Sequence, residues 1–410
     1  MSSSTRDLTA LFSERAAMAR PGVVGSNPRR IADTIAFSGG YPDPGSLPIQ
    51  DIIESTRIAL ERDGEWALQY GFGSGIPELV TQLSTKLARD QGIIAGPENI
   101  LITNGSSHAL ALIFELFVNP GDVIIAEAPW FMGAIWRARA TGCDVREVPL
   151  DGEGLDIGVL EQTLRDIKAE GKQAKFLYCV PTFQNPSGIT YSLERRKAIV
   201  ALAQEYNMPI LEDDAYYDLR FEGDALPPMY TIDDQGLVMY CGTFSKIMSA
   251  GMRLGWCVAN PQIIARLAGL KTDSGTSPFA SHVAAQFTSS GTLVEHINHL
   301  RPLYQHRRDV MLSALEEHMP EGTTWTIPQG GFFIWMTLPD GVTCADLAAR
   351  CEEGGVSIGQ GAMFFHNGGG EQQVRLAYSY NNDEEILHGV QVMGTAAHEL
   401  LGAPAAAPAD

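Results

Sequence analysis

The stretch Cys241-Gly-Thr-Phe-Ser-Lys246-Ile-Met-Ser-Ala-Gly-Met-Arg253-Leu-Gly255-Trp256 decides how this chain is read. The 410 residues include only seven lysines, and this one is framed by small residues, with an arginine seven positions on. A lysine becomes a nucleophile toward carbonyls when burial or a neighbouring cation lowers its pKa, and such lysines form Schiff bases. An arginine one side-chain length away suits a phosphate held by paired hydrogen bonds. Aldehyde capture beside phosphate capture suggests pyridoxal 5'-phosphate (PLP). A lone Ser-Lys pair is more often a surface lysine in a loop, so the weight falls on the rest of the chain.

Working outward, short apolar runs alternate with longer amphipathic ones. Strands are expected at 99–103, 122–127, 175–180, 208–213, 237–241 and 254–258, with helices over 107–117, 132–140 and 193–206. These strands are nearly continuous in hydrophobics, as in sheets buried on both faces. The alternation predicts an α/β fold with a mostly parallel sheet. After Thr292 the pattern changes to a long helix over 293–318, strands at 332–337 and 374–378, and helices over 345–353 and 383–401, a smaller α+β domain. The expected division is an N-terminal arm and active-site loop (1–50), a large domain (51–292), a small domain (293–401) and a tail (402–410).

A net charge of -20, from 29 Lys+Arg against 49 Asp+Glu, argues against a general nucleic-acid or anionic-membrane surface. Any anion must then be held by a few aimed donors. Six cysteines form no C-x-x-C pair, which fits a reducing cytoplasm. The N-terminus lacks the apolar core of a signal peptide, and no apolar run is long enough to span a membrane. His296 and His299 lie three apart on a helix, but without further ligands they read as an exposed face, so no metal site is expected.

Four more constellations fall at element ends, most of them at strand ends, where an open α/β sheet places ligands. Gly105-Ser106-Ser107 after the first strand presents backbone N–H groups and hydroxyls to an anion, or is an ordinary helix cap. Asn185-Pro186-Ser187-Gly188 is a rigid turn able to aim an amide inward. In Glu212-Asp213-Asp214-Ala215-Tyr216 one carboxylate could hold a pyridine nitrogen protonated, with the tyrosine near the ring oxygen. Arg375, inside an apolar strand, needs a partner: an acidic side chain of the protein or a substrate carboxylate.

Taken in order, Asn185, Asp213, Tyr216, Lys246, Arg253 and Arg375 resemble the fold-type I PLP-dependent aminotransferases of class I/II. The resemblance runs from about Ser38 to Ile386 and is nearest to the 2-aminoadipate and kynurenine aminotransferase subgroup. It is carried also by Phe37-Ser-Gly-Gly40, Gln69-Tyr70-Gly71 and Glu127-Ala-Pro-Trp-Phe-Met-Gly-Ala134. It implies PLP tethered to Lys246, with Asp213 on the pyridine nitrogen and Asn185 and Tyr216 on the ring oxygen. Gly105, Ser106, Ser107, Thr243, Ser245 and Arg253 match the phosphate cup, and Phe131 the stacking ring. Tyr70 matches a residue reaching the neighbouring subunit's cofactor, which implies a homodimer. Arg375, with Asn185 and the Gly39-Gly40 backbone, matches the carboxylate clamp. Trp130, His108 and Ala250 depart from the usual pattern, and Trp130 reads as packing.

The expected reaction moves an amino group between an L-amino acid and a 2-oxo acid by a ping-pong cycle, with Lys246 as proton shuttle. Oxidative deamination, decarboxylation and elimination remain open on the same scaffold, and an effector module of a transcription regulator is a distant rival. A dicarboxylic substrate would need another cation, with Arg15, Arg20, Arg29 and Arg30 as candidates. Tyr41, Trp130 and Phe131 would equally suit an aromatic or aliphatic side chain.

Overall fold

The apolar runs fold into a sheet whose central strands are buried on both faces. The structure is a computed structural model that describes residues 6–13, 15–16, 34–71 and 73–402. Its strands in chain order are β1 (Ile35–Ala36), β2 (Ile100–Thr103), β3 (Val123–Ala128), β4 (Asp144–Asp151), β5 (Gly154–Leu155), β6 (Ala174–Cys179) and β7 (Ile210–Asp213). They continue with β8 (Val238–Thr243), β9 (Gly255–Val258), β10 (Thr324–Trp325), β11 (Phe333–Thr337), β12 (Val356–Ser357), β13 (Gly359–Gln360) and β14 (Gln373–Ala377). The main sheet has the order β2-β9-β8-β7-β6-β3-β4-β5. Neighbours from β8 to β4 are parallel, whereas β9 runs against both β8 and β2. Helices cover the sheet, and the fully buried Ile, Leu and Val side chains of β2, β3, β7 and β8 supply its core. Each contributes about 1.5–3 kcal/mol of apolar burial.

This topology decides where chemistry collects. The carboxyl ends of β2, β6, β7 and β8 lie at one edge, and the reversed β9 starts at that same edge. Gly255 at the start of β9 pairs with Thr103 on one side and Thr243 on the other. The segments Gly105–Ser107 and Ser245–Lys246 therefore leave the sheet on either side of the strand that Arg253 leads into. A Cβ on Gly255 would stand 2.5 Å from the Ser106 nitrogen, so only glycine allows this approach.

A second sheet, ordered β10-β11-β14-β13, packs with the helices Thr292–His318, Cys344–Glu353 and Asp383–Gly402. The segment 34–44 belongs to this part of the fold. Strand β1 pairs in parallel with β12. The Phe37 nitrogen donates to Ser357 O at 2.8 Å, and Ala377 N donates to Phe37 O at 2.9 Å. Asp43 meets Arg307 at 3.0 Å. These contacts deliver Ser38–Gly40 over the edge where the main-sheet strands end.

Lys86 on the helix Pro77–Gln91 reaches Asp218 at 2.8 Å, and both side chains are buried. This pair ties the helix to the turn that follows Tyr216. Among the described residues no helix is long and apolar enough to cross a membrane.

The close approach at β9 has a measurable consequence. Gly255→Ala is expected to cost about 1–3 kcal/mol of stability, because backbone and not a flexible side chain must move. Thermal or urea denaturation reads this directly, and a variant as stable as the parent would show that the edge has room to spare.

Candidate active site

Where these strand ends meet Ser38–Gly40 lies a cavity of about 400 Å³. Every residue expected at the site lines it except Tyr70 and Gly105. Gly105 lies just behind the wall, where a Cβ would come within 2.6 Å of the Arg253 guanidinium. Tyr70 is 74% exposed and lies away from the cavity of its own chain.

One end of the cavity gathers groups that can donate to an anion. Gly105 ends the turn after β2, and the helix Ser106–Phe117 starts there with no side-chain cap. Its first N–H groups are free in the way helix starts leave them, and the helix dipole adds partial positive charge. On the facing side Arg253 adopts a left-handed backbone with φ 51°. Its Nη1 donates to Ser245 Oγ at 3.4 Å and to Ala250 O at 3.2 Å. The Ser245 hydroxyl also accepts from Thr243 Oγ1 at 2.9 Å, so three side chains from one loop stand in line.

At the floor lies Asp213, the last residue of β7, which is buried. Its Oδ2 accepts from the Tyr178 hydroxyl at 3.0 Å. Its Oδ1 is buried with no donor among the described residues. Burial pushes the acid up to about 7, the Tyr178 hydrogen bond pulls it down, and neighbouring Asp214 pushes it up again. A buried acceptor without a donor is costly unless a ligand N–H completes it.

Lys246 enters from the turn after β8. Its Nζ donates to Gly40 O at 2.8 Å and lies 5.9 Å from the Tyr216 ring centre. Burial, with Arg375 and then Arg253 nearby, lowers its pKa to about 8. It is thus a far better nucleophile near neutrality than an ordinary lysine.

Arg375 sits in the middle of β14, buried, opposite Trp335 on β11 and Gly359 on β13. Its Nη1 donates to Asn185 Oδ1 at 3.0 Å, and Nη2 donates to the Ser38 carbonyl. The guanidinium lies between the rings of Phe333, at 4.4 Å, and Phe364, at 4.7 Å. Burial lowers its pKa to about 10, so it remains a cation near neutrality. None of its ion pairs or hydrogen bonds among the described residues is to a carboxylate. Of the two partners the sequence leaves open, an acidic side chain is therefore not the one present. Asn185 also meets the Tyr216 hydroxyl, whose pKa burial raises. Gly40 is a necessary glycine, since a Cβ there would come within 2.6 Å of the Phe333 ring.

The structure adds residues that the motifs do not reveal. Tyr178 is an apolar-strand residue by pattern, yet it holds Asp213. Phe333, in an apolar strand of the small sheet, lines the cavity wall. Phe364 reaches Arg375 from a short 3-10 turn. Glu127, at the end of β3, accepts from Val180 N at 3.0 Å, from Gln184 Nε2 at 2.9 Å and from the Tyr191 hydroxyl, so it braces the turn that carries Asn185. Trp130 is fully buried, donates to Glu147 at 2.8 Å and does not line the cavity. Arg15 is exposed, while Arg20, Arg29 and Arg30 lie outside the described residues.

The profile of the family "Aminotransferase class I and II" matches residues 37–392. Aromatic-amino-acid aminotransferase 1 of Thermococcus litoralis is 37% identical over 395 residues, covering 94% of each chain. A crystal structure of kynurenine aminotransferase from Pyrococcus horikoshii, in complex with PMP, superposes with a TM-score of 0.91 at 37% identity over 97% of this chain and 99% of that one. The α-aminoadipate aminotransferase of Thermus thermophilus, complexed with N-(5'-phosphopyridoxyl)-L-leucine, gives 0.88 at 32% identity over 97% of this chain and 100% of the other. With lysine, buried acid, anion cup and unpaired arginine on one cavity of this fold, the chain belongs to the class I and II aminotransferases and is a transaminase with the fold-type I architecture.

Proposed function

We propose that this cavity holds PLP and that the enzyme exchanges amino groups between an L-amino acid and a 2-oxo acid in a ping-pong cycle. The observation that carries the reading is the donor set: a buried carboxylate oxygen without a donor, a lysine lowered to about 8 and a buried guanidinium without an acid. Each lacks what a different part of a cofactor–substrate pair would supply.

In this reading Gly105, Ser106, Ser107, Thr243, Ser245 and Arg253 hold the phosphate by backbone and side-chain donors. Asp213 takes the pyridine N–H on its free oxygen. Asn185 and Tyr216 face the ring oxygen, and Phe131 covers a ring face. Lys246 is the tether. When bound, PLP supplies an electron sink that makes the amino acid's Cα proton acidic. Lys246 would be the base that accepts a proton at the substrate Cα, a task suited to an amine with pKa near neutrality. Arg375 and Asn185 fix the substrate carboxylate and so set which Cα bond faces Lys246. Phe333 and Phe364 keep water from the guanidinium and strengthen that contact.

Tyr70 is assigned to the cofactor of a second copy of the chain. Its exposure supports this, as does that of Trp66 at 72% and Leu68 at 73% beside it. The cysteine pattern supports a cytoplasmic setting.

Four tests follow from these assignments. Lys246→Ala is expected to lower transamination by about 10²–10⁴-fold and to abolish the visible band of the PLP-loaded protein. In the unaltered protein the rate of PLP capture should climb about tenfold per pH unit up to about 8 and level off above, because only the neutral amine reacts. A capture rate still climbing steeply at pH 10 would contradict a lowered lysine.

Arg375→Lys keeps the charge but loses the fork, and kcat/KM for amino acids should fall by about 10- to 100-fold. The loss should fall largely in KM, with the PLP band intact. Equal kinetics in the variant would remove Arg375 from the clamp.

For Tyr70, subunits carrying Tyr70→Ala and Lys246→Ala are mixed and allowed to exchange. If Tyr70 acts across the interface, mixed dimers rebuild one intact site and regain activity. A mixture no more active than its two parents would place Tyr70 elsewhere.

A further inference from the structure

Tyr178 has no place in the motifs, yet it is the side chain that holds the Asp213 carboxylate. It stands in β6, where β3 and β7 flank it, its backbone opposite Ala126 and Leu211. The side chain is fully buried, and its ring lies 5.7 Å from the Trp130 ring, itself fully buried. The hydroxyl donates at 3.0 Å to Asp213 Oδ2. No other donor to the Asp213 carboxylate occurs among the described residues.

The consequences are geometric and electrostatic. A carboxylate can turn about its last bond, and one strong donor on Oδ2 fixes that rotation, leaving Oδ1 for the cavity. Two more acids, Asp214 and Glu127, act on Asp213 or are acted on by it through space, and each such pairing favours a neutral acid. Burial works in the same direction. The Tyr178 hydrogen bond works against both, since a donor to the charged form favours that form. The Tyr178 hydroxyl stays protonated itself, because burial and the nearby carboxylates raise its pKa far above its ordinary value. It is therefore a permanent donor and not a second proton carrier.

We propose that Tyr178 is a positioning residue that favours the ionised form of Asp213 and turns it so that Oδ1 can accept a ring N–H from the cofactor. The inference rests on the reading that this cavity holds PLP. Trp130 belongs to the same device: packed behind Tyr178 and held by its bond to Glu147, it fixes the phenol in place.

The test compares affinities for PLP and for 1-deaza-PLP, in which a C–H replaces the ring nitrogen, measured by equilibrium dialysis on the apoprotein. The unaltered protein should prefer PLP. Tyr178→Phe should weaken PLP binding by about tenfold while changing 1-deaza-PLP binding less than about twofold, because only the ring N–H uses Asp213. Tyr178→Met, a second side chain without a hydroxyl, is read in the same way should the Phe variant fold poorly. In the PLP-loaded Phe variant kcat should fall while KM for the amino acid holds, since the carboxylate clamp is untouched. If both ligands weaken alike, or if the preference for PLP survives, Tyr178 only packs and the inference is overturned. Unaltered protein that binds neither ligand would instead overturn the cofactor reading beneath it.

Discussion

A buried guanidinium with no carboxylate beside it among the described residues is the constraint around which this protein is arranged. Arg375 lies in the middle of a small-sheet strand, where a charge is costly unless its donors are met. The fold meets Nη1 and Nη2 with neutral oxygens, the Asn185 amide from the main sheet and the Ser38 carbonyl from the N-terminal segment, and leaves Nε buried without a partner among the described residues. Two rings, Phe333 and Phe364, close over its faces. Three separate parts of the chain are thus drawn to one side chain, and the cavity is the space they enclose. None of these contacts cancels the positive charge, so the site keeps its attraction for an anionic group.

The same unpaired charge reaches Lys246. A second guanidinium, Arg253, adds to it, and both stand where burial already disfavours an ammonium. Neutral lysine near pH 8 is therefore a product of the whole cavity and not of the Ser-Lys pair alone. The Gly40 carbonyl holds the Nζ in the meantime, at 2.8 Å. Backbone oxygens of Ser38 and Gly40 thereby serve both working cations. This explains the dense anchoring of that segment to β12, β14 and the helix Thr292–His318.

Much of this was legible in the sequence, for definite reasons. Strands buried on both faces must be apolar throughout, so β2, β3, β6, β7, β8 and β9 announce themselves. Side chains with chemistry at their ends, such as Asn185, Asp213 and Lys246, stand out against that background. Other parts do not. Ser38 and Gly40 act through backbone carbonyls, which carry no residue signature. Tyr178 is one aromatic in an apolar run, and strand alternation says which face it takes but not that an acid waits there. Strand β4 and the helices Ile49–Ala67 and Pro77–Gln91 are partly exposed and carry mixed patterns that no motif marks, and the edge strand β5 is only two residues long. The pairing of β1 with β12 joins positions some 320 residues apart, which local patterns cannot convey.

The run Glu212-Asp213-Asp214 shows how far residue type alone falls short. Successive side chains of a strand point to opposite faces, so three adjacent acids have three separate environments. Glu212 turns away from the cavity and is satisfied by the Met229 and Tyr230 N–H groups, at 2.8 and 3.0 Å, with Arg196 at 3.7 Å. Asp214 lies beyond the strand near the Thr182 and Tyr240 hydroxyls, and burial raises its pKa to about 6. Asp213 alone faces the cavity, with one oxygen fixed by Tyr178 and the other free. Glu212 already has its donors and Asp214 does not open on the ligand. By elimination within one motif, Asp213 is the only one of the three that can meet a ligand's N–H. What qualifies it is less its carboxylate than the hydroxyl behind it, one strand away, which occupies Oδ2 and leaves Oδ1 open to the cavity.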